Sequence, residues 1–213
     1  MKETKILHDF PLLQGLTEEE HKHLLKHLIY REVDKGTYLM TEGEQGETMY
    51  FIVRGKVKVV SASDEGKECI IAYIRPREVV GELSLITGNN RTADVVTVEP
   101  TSFFALRKTD YENHIVSNNG FIRAILGQIA NRLCSASEKI GDLMLLDVNQ
   151  RVESTLVRLA KDCSGPENII TKRPTHQELA ALVGTSREMI TRALKRLEED
   201  ERIQIEGKEI RLL

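Results

Sequence analysis

The stretch "VVGELSLITGNNRTADVV", residues 79–96, decides how this sequence is interpreted. A β-branched approach ends in Gly81 and Glu82, and Arg91 and Thr92 lead into the next β-branched run. A glycine lets the backbone approach a ligand without a Cβ in the way. A buried carboxylate can accept hydrogen bonds from sugar hydroxyls. An arginine can hold a phosphate with two parallel N–H bonds, to which a threonine hydroxyl adds a donor. Together these groups suit a nucleotide.

The same residues allow a structural interpretation. Glu82 also begins a short helix, whose free N–H groups can face an anion or water. In the structural interpretation Glu82 only starts that helix and Arg91 is solvated. The stretch alone does not decide between the two.

Short strand-like runs surround this stretch between Tyr30 and Leu106. They recur at about ten-residue spacing and are separated by turn signals, which is typical of an antiparallel barrel or sandwich. The runs are "TYLMT", "MYFIV", "KVKVVSA", "CIIAYI", "ADVVTV" and "SFFAL", and the turn signals include "EGEQGE" and "SDEGKE".

Two short helices flank these strands. Thr17 and Glu20 have capping-box spacing and predict a helix over residues 17–28, and Thr109 with Glu112 predicts a second one. His21, His23 and His27 are assigned to a polar face of the first helix, so they are expected to be solvated.

The segment from Phe121 to Leu146 carries the clearest periodic signal. Its apolar residues follow alternating spacings of four and three, which is a heptad seam sustained for about three heptads. A helix packed on its own barrel would need a broader apolar stripe, so the narrow seam favours a coiled coil between two copies. The seam comprises Ile122, Leu126, Ile129, Leu133, Ala136, Ile140 and Leu143.

A second domain begins after this helix. Asp147 is a good N-cap for a helix starting near Val148, so we place a boundary and a hinge at Leu146–Val148. After Cys163, "SGPEN" predicts a loop.

The segment "TKRPTHQELAALVGTSREMITRALKRLEED" predicts two helices around a tight turn. Thr175 and Glu178 form a capping box, Gly184 supplies the positive φ of the turn, and Ser186 caps the second helix. From Thr171 to Leu197 there are six basic and two acidic residues, although the whole chain has a net charge of −3. This basic helix-turn-helix pattern favours DNA binding over a plain helical hairpin. "RIQIEGKEIRLL" then predicts a hairpin that forms a wing.

Composition narrows the class of protein. Apolar content of 40% and charged content of 30% are ordinary for a globular protein, and no apolar run reaches membrane-spanning length. Three scattered cysteines and the absence of a signal peptide favour a reducing cytoplasm. We find no nucleophile–base pair, metal-ligand spacing or Walker loop, so an enzyme is not expected.

The motifs together resemble a known family. "GELSLITGNNRTA" looks like the phosphate-binding cassette of cyclic-nucleotide-binding domains. The chain from about Phe10 to Leu212 is similar to the superfamily of the cyclic-AMP receptor protein and the fumarate–nitrate regulator. Specific matches are "EGEQGETMYFIVRGKVKV", "GKECIIAYI", "SEKIGDLMLLDV" and "GTSREMITRALKRLEE".

The resemblance implies an α+β fold in three parts. They are an effector domain over residues 1–120 with an antiparallel jelly-roll β-barrel, a dimerisation helix over 121–146, and a winged helix-turn-helix over 147–213. It also implies cyclic AMP as effector, homodimers, palindromic DNA with GTGA-like half-sites, and RNA polymerase as a partner. The ligand-contact positions are Gly81, Glu82, Leu83, Ser84, Arg91, Thr92, Arg132, Ala136 and Ser137. The DNA-contact positions are His176, Thr185, Ser186, Arg187, Glu188, Thr191, Arg192 and Lys195.

One position departs from the family. Its cyclic-AMP activators carry a threonine before the serine that matches Ser137, bonded to the adenine amino group, and this chain has Ala136. Three alternatives therefore stay open: a regulator that responds to another nucleotide, one active without ligand, or a cyclic-nucleotide module acting on a protein partner. Haem, iron–sulfur clusters and metals are not expected, because the iron–sulfur sensors need an N-terminal cysteine cluster and the haem sensors lack this cassette.

Overall fold

The computed structural model describes residues 6–63, 66, 68–115, 118–161 and 168–213, with only the backbone of His114. The chain forms two compact units that divide between Leu133 and Cys134, and each is described by itself. None of the described helices has the length and apolar character of a membrane span. Most of the predicted loop after Cys163 and part of the predicted "SDEGKE" turn lie outside the described residues, although Asn168 is described as a turn residue.

The N-terminal unit contains two four-stranded antiparallel sheets, ordered β1-β8-β3-β6 and β2-β7-β4-β5. This order is that of a jelly roll, in which eight strands form two packed sheets. The predicted fold class is therefore confirmed. The strands are β1 (Leu28–Val33), β2 (Tyr38–Met40), β3 (Thr48–Arg54), β4 (Val57–Ala62), β5 (Glu68–Ile74), β6 (Val79–Val80), β7 (Asp94–Thr97) and β8 (Thr101–Arg107).

The core of this unit comes from the inward faces of the sheets and the helices that cover them. Phe51 of β3 pairs directly with Phe104 of β8, and both rings are buried. Phe10 meets Phe51 edge-to-face with 5.6 Å between ring centroids. Such a contact adds about 0.5–1.5 kcal/mol beyond the area it buries.

Four helices whose bounds lie within the described residues belong wholly or partly to the N-terminal unit. They are α1 (Glu18–Leu25), α2 (Glu82–Thr87), α3 (Lys108–His114) and α4 (Asn119–Leu145), preceded by a 3₁₀ turn at Pro11–Leu13. The capping box of Thr17 and Glu20 is present. The predicted helix is too long, however, because Leu28 begins β1 and pairs with Leu106. α3 begins at Lys108 without a side-chain cap, so Thr109 does not cap it.

The prediction that the histidines of α1 are solvated was wrong for His21. Its side chain is buried, and Nε2 lies 2.9 Å from the carbonyl oxygen of Leu13. His21 precedes buried Leu24 by three residues, which places both on the inner face of the helix. His27 is half-buried and contacts Asp110 at 3.0 Å, while His23 is exposed.

The C-terminal unit contains the end of α4, followed by α5 (Val148–Lys161), α6 (His176–Val183) and α7 (Arg187–Glu199). Strands β9 (Ile169–Ile170), β10 (Ile203–Glu206) and β11 (Glu209–Leu212) form a sheet ordered β10-β11-β9. The predicted wing hairpin is present. Strand β9 was not predicted, because two residues carry no pattern until they pair with β11.

The helix break predicted at Leu146–Val148 is present. Asp147 and Gln150 form reciprocal hydrogen bonds, in which the side chain of each accepts from the other's backbone N–H. Asp142, near the end of α4, accepts hydrogen bonds from Ser154 at 2.9 Å and Arg158 at 2.7 Å. These bonds fix the end of α4 against α5.

Candidate functional site

The turn into α2 is the first part of the ligand cassette. Gly81 has φ of 87°, and a Cβ there would lie 2.9 Å from both Arg91 Nη1 and Met40 Sδ. A larger residue would be strained by the backbone and crowded by these neighbours. Gly81 therefore permits the close approach between α2 and Arg91.

Arg91 is the buried cation of the cassette, with 7% of its surface exposed. It donates to the carbonyl oxygens of Gly81 at 2.9 Å and Thr48 at 2.5 Å. Burial lowers the pKa of Arg91, while the nearby Tyr50 and Glu82 raise it. A guanidinium has five N–H donors and keeps its charge in proteins. Two bonds to neutral carbonyls leave charge and donors for an anion.

Glu82 is the buried anion of the cassette, with 1% of its surface exposed. Oε1 accepts a hydrogen bond from Arg132 Nη1 at 2.5 Å, whereas Oε2 has no partner among the described residues. Leaving a buried acceptor unsatisfied costs about 1–3 kcal/mol. Oε2 is thus ready to accept a hydrogen bond from a ligand hydroxyl.

Arg132 also ties α4 to the cassette through the backbone. Its Nη2 donates to the carbonyl oxygen of Val79, to which Gln128 donates at 3.1 Å. Two side chains one turn apart on α4 therefore hold the residue that enters the cassette. Gln128 was not singled out from the sequence.

The loop between β2 and β3 closes over Arg91. The backbone N–H of Gly43 donates to the carbonyl oxygen of Arg91 at 2.9 Å, and the backbone N–H of Arg91 donates to the carbonyl oxygen of Glu44 at 2.8 Å. A Cβ on Gly46 would lie 2.1 Å from the Ser84 Cβ, so only glycine fits there. The sequence marked this loop as a turn, but nothing local showed that it contacts α2.

A pocket of about 300 Å³ opens beside this loop. Its polar wall includes Arg91 and two carboxylates, so the pocket offers both a cation and hydrogen-bond acceptors. It is lined by Leu39, Met40, Glu44, Gln45, Glu47, Thr48, Tyr50 and Arg91.

The structure brings together four of the predicted ligand residues, namely Gly81, Glu82, Arg91 and Arg132. Ser84 is buried against Gly46, while Leu83 and Thr92 are exposed. Ala136 and Ser137 are exposed on the part of α4 that belongs to the C-terminal unit. Their contact with a ligand in the partner subunit stays a prediction.

The predicted helix-turn-helix is present in full. Thr175 and Glu178 form the capping box of α6, Gly184 has φ of 74°, and Ser186 accepts from the N–H of Met189 at 3.2 Å. The inner face of α7 is buried and the opposite face is exposed. The buried residues are Ile190, Ala193, Leu194 and Leu197, and the exposed ones are Arg187, Glu188, Thr191, Arg192 and Lys195.

Hydrogen bonds and neighbouring charges in the first turn of α7 favour the ionised form of Glu188. The pKa of Glu188 is lowered by a hydrogen bond from its own backbone N–H and another from Ser186, and then by Arg187 and Arg192. An ionised carboxylate only accepts hydrogen bonds, as contact with a cytosine amino group requires. Thr185 is half-buried in the turn, and His176 begins α6 beside α7.

Comparison with known proteins identifies both parts. The family model of the cyclic nucleotide-binding domain matches residues 30–118, and that of the Crp-like helix-turn-helix domain matches residues 150–213. The chain is 34% identical over 198 residues to the cAMP-activated global transcriptional regulator CRP of Salmonella typhimurium, covering 91% of this chain and 94% of that protein.

Two solved structures are also similar. The c-di-GMP-responsive global regulator CLP of Xanthomonas campestris has a TM-score of 0.80 and 27% identity, covering 92% of this chain and 99% of that one. The catabolite activator protein of Thermus thermophilus has a TM-score of 0.57 and 30% identity, covering 95% and 93%.

A jelly-roll cassette followed by a winged helix-turn-helix defines a DNA-binding transcription regulator with a cyclic-nucleotide-binding domain. The chain belongs to the family of the cyclic-AMP receptor protein and the fumarate–nitrate regulator. This family consists of transcription regulators and not enzymes. Among the residues that the structure describes, no cluster of three or more histidine, cysteine or acidic side chains could hold a metal.

Proposed function

We propose that this regulator is a cytoplasmic homodimer whose DNA binding is controlled by cyclic AMP. The single observation that carries the ligand assignment is Glu82 Oε2, a buried carboxylate oxygen to which none of the described residues donates a hydrogen bond, beside the buried cation Arg91. A ribose hydroxyl supplies the donor that Oε2 lacks, and a cyclic phosphate supplies the anion that Arg91 lacks.

The contact between the cassette and α4 offers a route for control. Arg132 donates to Oε1 of Glu82 and to the carbonyl oxygen of Val79, so a ligand hydroxyl on Oε2 would contact the same carboxylate that holds this residue of the dimerisation helix. A ligand shifts an equilibrium only through different affinities for two states. We place that difference at the pair of Glu82 and Arg132, with Ser137 of the partner subunit completing the site.

Dimerisation is supported by the unpartnered seam of α4. Four of its apolar residues are more than half exposed: Leu126, Leu133, Ile140 and Leu143. They follow the heptad spacing along a helix of 27 residues, which is about 40 Å long. A second copy of the same helix is the occupant that this repeat fits.

The DNA contacts follow from α7. We assign Arg187, Glu188 and Arg192 to base edges in GTGA-like half-sites and Lys195 to phosphate, with two heads about 34 Å apart on a palindrome. RNA polymerase is the proposed partner at promoters. A module acting on a protein partner instead would leave the exposed face of α7 unused.

The effector is tested by calorimetric titration with cyclic AMP, cyclic GMP and cyclic di-GMP, because the similar regulator CLP is described as responding to cyclic di-GMP. DNA affinity is then measured with and without each nucleotide. Tight binding of cyclic AMP that strengthens DNA binding is the expected result. Preference for another nucleotide, or ligand-independent DNA binding, would overturn the assignment of cyclic AMP. Sedimentation should give a dimer, and a monomer would contradict the role of the seam.

A further inference from the structure

A side-chain hydrogen bond joins the two helices of the DNA-binding head beside their apolar core. His176 is the first residue of α6, and its Nδ1 lies 2.8 Å from the Thr191 hydroxyl oxygen on α7. Thr191 in turn donates its hydroxyl hydrogen to the carbonyl oxygen of Arg187 at 3.1 Å. His176 therefore contacts the exposed face of the recognition helix.

The hydrogen bonds of Thr191 indicate which nitrogen of the His176 imidazole carries the proton. The Thr191 hydroxyl has one hydrogen, and since the Arg187 carbonyl oxygen can only accept it, we assign Nδ1 of His176 as the donor to Thr191. The neutral ring then carries its proton on Nδ1, and Nε2 is an acceptor. Nε2 forms no hydrogen bond with the described part of the chain. Protonation adds a hydrogen at Nε2 and leaves the bond to Thr191 in place.

The surroundings of the ring are cationic. Arg173, from the segment before α6, and Arg187, from the first turn of α7, both face His176. The acid nearest in its own helix, Glu178, is engaged in the capping box with Thr175. Burial is the largest cause that lowers the pKa of His176, and the two arginines lower it further. At neutral pH the free protein therefore keeps this ring uncharged.

Bound DNA would oppose the effects that lower the pKa of His176. A phosphate brought to the two arginines neutralises their effect and favours a protonated imidazole, whose new Nε2–H can donate to a phosphate oxygen. We propose that His176 couples DNA binding to proton uptake: Nδ1 positions Thr191 and α7, while Nε2 becomes a donor to the DNA backbone when it takes up a proton. DNA affinity then rises as pH falls, with uptake of up to one proton per subunit.

The titration of His176 can be distinguished from that of the other histidines and of Glu188. The sequence has six histidines, and His176 is the only one beyond residue 114. Glu188 has a lowered pKa and stays ionised well below neutral pH. The inference rests on DNA binding by the C-terminal unit and does not depend on the identity of the effector.

The test uses the full chain and a duplex that the wild-type protein selects from random DNA, with and without cyclic AMP. The affinity is measured by fluorescence anisotropy between about pH 8 and about pH 6, the range in which histidine titrates. Calorimetry in two buffers of different ionisation enthalpy counts the protons taken up. The wild-type affinity should rise on acidification, by at most about tenfold per pH unit for each proton.

Three variants separate the two roles. His176→Asn keeps a donor near the position of Nδ1 but does not titrate, so the affinity should lose its pH dependence. Thr191→Val keeps the shape and removes the hydroxyl, so binding should weaken while proton uptake persists. His8→Asn, in the N-terminal unit, should behave like the wild type.

The outcomes distinguish the proposals. A wild-type protein that binds DNA equally at every pH, or a pH dependence unchanged in His176→Asn, overturns the proton coupling and leaves DNA binding intact. A wild-type protein that binds no DNA at any pH overturns both.

Discussion

The ligand cassette and the recognition helix use the same residue types in opposite environments. In the cassette, Glu82 and Arg91 are almost completely buried, and one oxygen of Glu82 has no hydrogen-bond partner in the described part of the chain. On α7, Glu188 and Arg192 are exposed. A buried polar group depends strongly on its partner, whereas an exposed one exchanges water for a new partner at a small net gain. Substitutions in the cassette should therefore abolish binding, and substitutions on α7 should alter selectivity.

The largest effect is expected for Arg91→Ala. It removes the only buried arginine among the described residues and leaves a desolvated phosphate unpaired, a loss of ~2–5 kcal/mol in binding free energy. Titration calorimetry with cyclic AMP measures it. Arg77→Ala, which removes an exposed arginine of the same unit, is the matched control and should bind normally. If the Arg91 variant folds and still titrates like the wild type, the phosphate lies elsewhere.

Glu82→Gln should weaken cyclic-nucleotide binding by about one to two orders of magnitude, since hydrogen bonds to a charged group contribute ~1.5–3 kcal/mol. The amide keeps the shape but loses the charge that faces Arg132. Combining it with Arg132→Met in a double-mutant cycle measures their coupling. Additive losses would show that the pair does not link the ligand to α4.

Local sequence patterns predicted the features that depend on neighbouring residues. The capping boxes at Thr17 and Thr175 and the helix-turn-helix are of this kind, and the structure has them, whereas the cap expected at Thr109 is absent because α3 begins one residue earlier. Contacts between distant segments had no such signal. The fit of Gly46 against Ser84 and the hydrogen bond of Gln128 to Val79 appear only when separate elements meet. The match of Glu82 and Arg132 to ligand positions came from family resemblance, because the residues are 50 positions apart.

Glu188→Ala tests the exposed residues of α7. It should relax preference at one base pair by ~1–3 kcal/mol without a uniform loss of affinity, because the proposed role of the carboxylate is to accept a hydrogen bond from a cytosine amino group. Lys195→Ala is the companion variant: a phosphate contact should weaken all sequences alike and lower the salt slope by about one. Selection from random DNA followed by binding measurements on single-base variants checks both. Recovery of no palindrome would contradict the assignment of α7 to GTGA-like half-sites.

Ala136→Thr is expected to have the smallest effect on cyclic-nucleotide binding. It tests whether residue 136, which is exposed in one chain, contacts the base of the ligand. Ala136 is exposed in the single chain, on the seam of α4 where a partner helix and the adenine ring are proposed to meet. Alanine offers the adenine amino group no acceptor, whereas a threonine hydroxyl does. One neutral hydrogen bond adds about 0.5–1.5 kcal/mol, a two- to tenfold gain in affinity for cyclic AMP.

The opposing cost of Ala136→Thr is smaller than this gain. Threonine is β-branched, so it lowers helix stability by a few tenths of a kcal/mol relative to alanine, and this cost applies to the helix in both the free and the ligand-bound protein. The net gain should appear for cyclic AMP and be smaller for cyclic GMP, whose ring has a carbonyl at the equivalent atom. Ala136→Ser offers a hydroxyl without the branch and should reproduce the preference. Titrating both nucleotides against the three proteins decides the question, because equal changes for the two nucleotides would show that residue 136 does not face the base.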